Sequence, residues 1–153
     1  MIATLIYLAR QIKDGARAAR SAAVTDATNA IQALYQELGS SSKSSEFFLR
    51  GMTGYDSMSD LEQFQWLMML HSWFIAFQRS FFLSQEGTLQ VGLRDSIGTA
   101  IIAVNHLPGI HRYWEQRKSF FQSEFVDWVE IQLGSKPLTD MHPYDRRASS
   151  SAA

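Results

Sequence analysis

The stretch from Ser59 to Leu83, SDLEQFQWLMMLHSWFIAFQRSFFL, constrains this chain more than any other. It opens on a helix start. Ser59 is followed three residues later by Glu62, a capping box: the serine hydroxyl accepts from the amide of residue 62, and the carboxylate reaches back to the amide of residue 59. Asp60 adds negative charge at the positive end of the helix dipole. Leu61, Phe64, Leu67, Met68, His71, Phe74, Ile75 and Gln78 then recur at helical spacing, while Trp66, Leu70, Trp73, Phe77 and Phe81 fill much of the opposite side. A helix apolar nearly all round belongs inside a core, an interface or a bilayer. The uncharged run from Gln63 to Gln78 reaches roughly 24 Å as a helix. That is short of the roughly 20 apolar residues a membrane span needs, and Gln65, His71 and Ser72 interrupt it. The stretch is therefore expected at the centre of a helical bundle.

The chain around it reads as helices too. Residues 2–38 form one long helix in which IATLIYLARQI is apolar and the following turns are basic. Arg10, Lys13, Arg17 and Arg20 against Asp14 give a net +3 over the first twenty residues. Ala16, Ala19, Ala23, Ala27, Ala30, Ile31, Leu34 and Leu38 continue a stripe whose alanines permit close helix approach. Gly39 and three serines stop it. Ser44 or Ser45 starts a short helix with Phe47, Phe48, Leu49 and Met52, ended near Gly54. Glu86-Gly87 ends the central helix, with Thr88 expected to cap the next one over residues 89–106. Pro108 breaks that helix, because the residue before a proline disfavours the α region. GIHRYWEQRKS is another short helix, and Ser119 or Ser123 is expected to cap the last, with Phe121, Phe125, Trp128, Val129 and Leu133 on one face. From Lys136 the chain turns polar and reads as disordered.

The expected fold is all-α, an irregular bundle of about six helices. Its parts are a long N-terminal helix (1–38), a bundle core (44–134) and a polar tail (135–153). At 153 residues one domain is expected, burying about two-thirds of its unfolded surface. A net charge of −1 argues against bulk electrostatic binding to nucleic acid. Without cysteine there is no disulfide, no thiolate metal site and no cysteine nucleophile.

Three constellations carry the functional alternatives. His106 and His111 flank Pro108-Gly109, and Glu115 lies one helical turn beyond His111, so the three offer a weak metal site for a metal-dependent enzyme. The competing reading makes His106 a hydrogen-bonding group at a helix C-terminus and leaves His111 exposed. His71, among Trp66, Met68, Trp73 and Phe74, resembles a haem or chlorophyll ligand, and equally a core histidine bonded to a neighbour. A pocket for a ligand or pigment would be lined by Trp66, His71, Trp73, His111, Trp114 and Arg117. Arg79, Arg94, Arg112 and Arg117 form either an anion site or ordinary surface pairs with Glu86, Asp95, Glu115, Glu124 or Asp127. No nucleophile elbow or phosphate-binding glycine loop is present, so the chain is not read as an enzyme and no cofactor is expected.

The N-terminus keeps two readings open. Ile2, Leu5, Ile6 and Leu8 followed by Arg10, Lys13 and Arg17 look like the last third of a signal anchor with its basic residues on the cytoplasmic side. They look equally like a helix end docked on its own bundle or on a partner chain.

Three segments resemble one family: IATLIYLARQIKDGARAARSAA, FQWLMMLHSWFIAFQRSFFLSQEGTL and LPGIHRYWEQRKSFFQSEFVDWV. In this order they are similar to a group of uncharacterised bacterial proteins, common in proteobacteria, over roughly residues 2–133. The matching residues are Leu5 to Ile12, Arg20, Glu62, Phe77, Gly87, Pro108, Gly109, Trp114, Arg117, Phe121 and Phe125. Those proteins open with a membrane helix that runs into a soluble helical domain, and this chain departs in lacking most of that anchor. The resemblance implies membrane attachment and no particular chemistry. The expectation is a membrane-peripheral protein at the cytoplasmic face of the bacterial inner membrane, or otherwise cytoplasmic. It would bind a protein partner, or itself as a homo-oligomer, through its first helix.

Overall fold

The computed structural model describes residues 2–138; of Ile2, Ala3 and Leu5 only the helical backbone is described. The tail reading therefore lies outside the described residues from 139 onward, and so does His142. Among the described residues there are six α-helices and no strand: α1 (Ile2–Gly39), α2 (Ser42–Gly54), α3 (Asp60–Gln85), α4 (Val91–Val104), α5 (Pro108–Arg117) and α6 (Ser123–Leu133). Single 3-10 turns at Tyr55–Ser57 and Lys118–Phe120 bend the chain before α3 and α6.

Local chemistry sets most of the helix ends. Ser59 caps α3 with both arms of the capping box made: Glu62 N–H donates to the Ser59 hydroxyl, and Ser59 N–H donates to Glu62 Oε2 at 2.9 Å. Those Ser59 bonds hold the Glu62 carboxyl below its ordinary pKa, and Arg50, paired with it, adds to the effect. Gly87 ends α3 at φ +69°, where a side chain would be strained. Its N–H donates to Ser84 O (3.1 Å) and Thr88 N–H donates to Leu83 O (2.9 Å), the two bonds of a Schellman ending. Two expected caps are not made. Gln90 and Gln122 occupy the N-cap positions of α4 and α6, neither with a side-chain bond, and Ser123 is the first helical residue of α6. Ser41, three residues ahead of the expected start, caps α2 by accepting from Ser44 N–H.

α3 is the centre of the bundle, contacting α1, α2, α4 and α5, while α6 closes over α4. Its buried residues are Trp66, Leu67, Leu70, Trp73, Phe74, Phe77, Ser80, Phe81 and Ser84. Leu61, Phe64 and Ile75, placed on the first apolar face of the sequence reading, are instead exposed at 66%, 57% and 52%. The enclosed face carries the tryptophans together with Leu67 and Phe74 of the other stripe. Phe74 is its hub, with ring centroids 4.9 Å from Tyr113, 5.4 Å from Trp114 and 6.5 Å from Phe125. Such tilted and edge-on aromatic pairs add to simple area burial.

The closest backbone approach is between α2 and α5. A Cβ on Gly109 would point into the Gly51 carbonyl and lie 2.6 Å from Met52 Cα. A Cβ on Gly51 would run into the Trp66 indole. The missing side chain at Gly109 permits the approach of α5 to α2, and the one at Gly51 leaves room for Trp66 of α3. Asn105 then ties two helix ends together: its Nδ2 donates to Ser135 O (2.8 Å), just past the C-terminus of α6.

Candidate functional site

α1 is two different objects in one helix. From Ala23 onward it meets the bundle, with Ala27 and Leu34 buried against α3 and α2 and Asp26 facing Arg79 at 3.5 Å. Every residue from Ile6 to Ala22 is exposed, Ile6, Tyr7, Leu8 and Ile12 among them. Alanines and the absence of proline keep this half helical. The stripe that packs at Ala27, Ile31, Leu34 and Leu38 continues outward through positions 2, 5, 9, 12, 16, 19 and 23, which are Ile, Leu, Ala, Ile, Ala, Ala and Ala. Those alternating steps of three and four are a heptad seam. Arg10, Lys13, Arg17 and Arg20 lie along one edge of it at the same helical period. Of the expected contact residues, Ile6, Leu8, Arg10, Lys13 and Arg17 are thus presented to solvent, while the side chains of Ile2 and Leu5 lie outside the described residues. Among the described residues no helix is long and apolar enough to cross a membrane.

The histidine constellations are taken up within the fold. His71 is half-buried beside Phe121 (5.2 Å) and Phe120 (5.7 Å), with Nδ1 3.4 Å from the Tyr113 hydroxyl. Burial pushes its pKa down, and the Arg117 charge adds to that. Burial pushes the Tyr113 phenol up. Trp114 stacks on Phe121 at 5.8 Å, and the Arg117 guanidinium lies over Phe120 at 5.3 Å. The ring of His71 is therefore packed by protein aromatics. Trp73 points elsewhere, onto Phe48 at 5.6 Å. His71, Trp114 and Arg117 come to one side of α3, and Trp73 does not join them.

His111 Nε2 donates to Asn105 O at 2.6 Å, the carbonyl ending α4; both histidines are exposed, and the helix-end hydrogen bond expected of His106 is made by His111. Glu115 accepts from Lys118 Nζ at 3.0 Å, and that bond raises the lysine's pKa. Among the described residues no three histidine, aspartate or glutamate side chains are placed to hold a metal ion. Of the arginines, Arg94 pairs with Asp95 as expected, whereas Arg79 finds Asp26 and Arg112 finds Asp56 at 3.6 Å.

One feature was not visible in the sequence. A cleft of about 350 Å³ lies between α1 and α4, floored by Trp73 and Phe77 of α3. Its walls are two stripes legible in the sequence, Ile31, Leu34, Tyr35 and Leu38 on one helix and Leu93, Ile97, Ala100 and Val104 on another. Nothing local says that they face each other.

The fold defines the chain as an all-α bundle with a projecting N-terminal helix. Compared with known proteins, it matches no family model, no curated protein and no solved structure.

Proposed function

We propose that this is a binding protein of a membrane surface, acting through the outer half of α1 rather than by catalysis. The observation that carries the reading is the exposure of every residue from Ile6 to Ala22 on a helix whose bundle-facing stripe continues past the bundle. In proteins most helical stability comes from the packing of an amphipathic face rather than from propensity, and this half of α1 has no such packing within the bundle. Ile12 at 72% exposure and Leu8 at 47% are such a face without cover from the bundle. The alanine-rich seam suits close packing against another helix, from a protein partner or from a second copy of the chain. The basic edge suits the anionic headgroups of a cytoplasmic leaflet, where each Lys or Arg near the surface contributes about 1 kcal/mol. The resemblance to anchored proteobacterial proteins supports the same placement.

Flotation with vesicles tests the reading. The full chain is expected to float with vesicles containing phosphatidylglycerol and to be released by salt, whereas phosphatidylcholine vesicles retain little. Lys13→Glu with Arg17→Glu removes that binding. A chain of residues 16–135 that partitions as the full chain does would overturn membrane attachment. Sedimentation of the full chain against Ile12→Asp separates self-association, lost in the variant, from a different protein partner, for which both sediment as monomers.

A further inference from the structure

We infer that the cleft between α1 and α4 is a binding pocket for a single hydrocarbon chain, the acyl chain of a lipid or of a free fatty acid. Its volume of about 350 Å³ falls in the range of small-molecule pockets. The cleft is open to solvent, and its apolar walls leave surface in water that an apolar occupant would bury. α1 and α4 flank the cleft, and both are packed on α3. Trp73 and Phe77 form the floor between them, and Met52 and Ile110 also line it.

The chemistry of the walls selects the ligand. None of the lining residues carries a charge at neutral pH. The polar side-chain groups are the indole N–H of Trp73 and three hydroxyls, those of Tyr35, Ser96 and Thr99, the hydroxyls all on exposed residues at the mouth. Ser96 and Thr99 already donate to Gly92 O (2.8 Å) and Asp95 O (2.9 Å) of their own helix. A polar molecule entering the interior would lose water and find at most the single indole N–H of Trp73 to bond. An extended peptide fails for that reason. An unbranched hydrocarbon chain does not, and its polar end would rest at the mouth, where the hydroxyl oxygens can still accept a hydrogen bond. The pocket is separate from the outer half of α1, so it adds a ligand to the proposed function without depending on it.

The test is titration of the purified full chain with cis-parinaric acid, a fluorescent polyene fatty acid, followed by quenching of tryptophan emission. Saturable binding of one molecule per chain is expected, displaced by palmitic acid. Displacement by lysophosphatidylcholine as well would assign the chain to a lipid, and displacement by palmitic acid alone to a free fatty acid. Ala100→Trp fills the cleft from α4, and Ser96→Phe covers its mouth at an exposed position where folding is not at stake. Each is expected to weaken binding at least tenfold, while Phe120→Ala, on an exposed apolar residue beside His71, leaves it unchanged. Absence of saturable binding, or equal binding by Ala100→Trp and Ser96→Phe, would overturn the proposal. Both cleft variants are expected to float with anionic vesicles as the parent does, so failure of the pocket and failure of the α1 reading show up separately.

Discussion

The two halves of α1 have similar residues and opposite fates. Ala23 to Leu38 lies against α3 and α2, with Ala27 at 4% exposure and Leu34 at 8%. Ile6 to Ala22 continues the same stripe into solvent. Sequence pattern gives a helix a face. Whether that face is covered depends on how far the neighbouring helices reach, and here α3 ends at Gln85 beside the middle of α1. The outer half is the part of the molecule with surface left to bind something else.

Substitutions can break that contrast. The largest effect is expected from Phe74→Ala, about 3–5 kcal/mol of lost stability, because the residue is the aromatic hub of the covered region. Ile12→Ala on the outer half should stay within about 0.5 kcal/mol. Urea denaturation of the two variants measures the contrast directly, and comparable losses would mean that the outer half is covered after all. Next is Gly109→Ala. Its Cβ meets backbone on α2 rather than a side chain that can move, so about 2–3 kcal/mol is expected, read as a lowered melting temperature. Ser59→Ala removes the α3 cap and should cost about 1 kcal/mol, measured the same way.

The smallest effect concerns pH. The folded pKa of His71 lies below its ordinary value, so the unfolded chain binds the proton more readily. Its contribution to stability is present above the unfolded value, near 6.5, and is lost as pH falls through the folded value. Denaturation midpoints at pH 7.5 and pH 5 should therefore differ less in His71→Gln than in the parent. An unchanged difference would assign the acid sensitivity to other groups.

The helix inventory was legible because its signals are local. Ser59 and Glu62 announce α3, Gly87 ends it, and Pro108 separates α4 from α5 within a few residues of where each acts. The errors fall where a local signal had competitors. Thr88 looked like a cap, yet its N–H is spent on the Schellman turn of α3, and α4 starts after Gln90. Ser123 lies one residue inside α6. The candidate site was less legible. Trp73 sits close to His71 in sequence but faces Phe48, on another side of α3. His111 looked available to a metal, and the Asn105 carbonyl that occupies it is brought close by the turn at Pro108.

By itself the sequence determined that this protein is a set of helices, where most of them begin and end, and that one of them is too apolar to stand alone. Caps, glycines and prolines act through backbone groups three or four residues away, so no tertiary information is needed. Only the tertiary structure decided which side of α3 is enclosed, that Gly109 lets α5 touch α2, and that two apolar stripes flank a cleft. A helix apolar on all sides has no preferred face of its own, and its orientation is settled by the shapes of the helices that surround it.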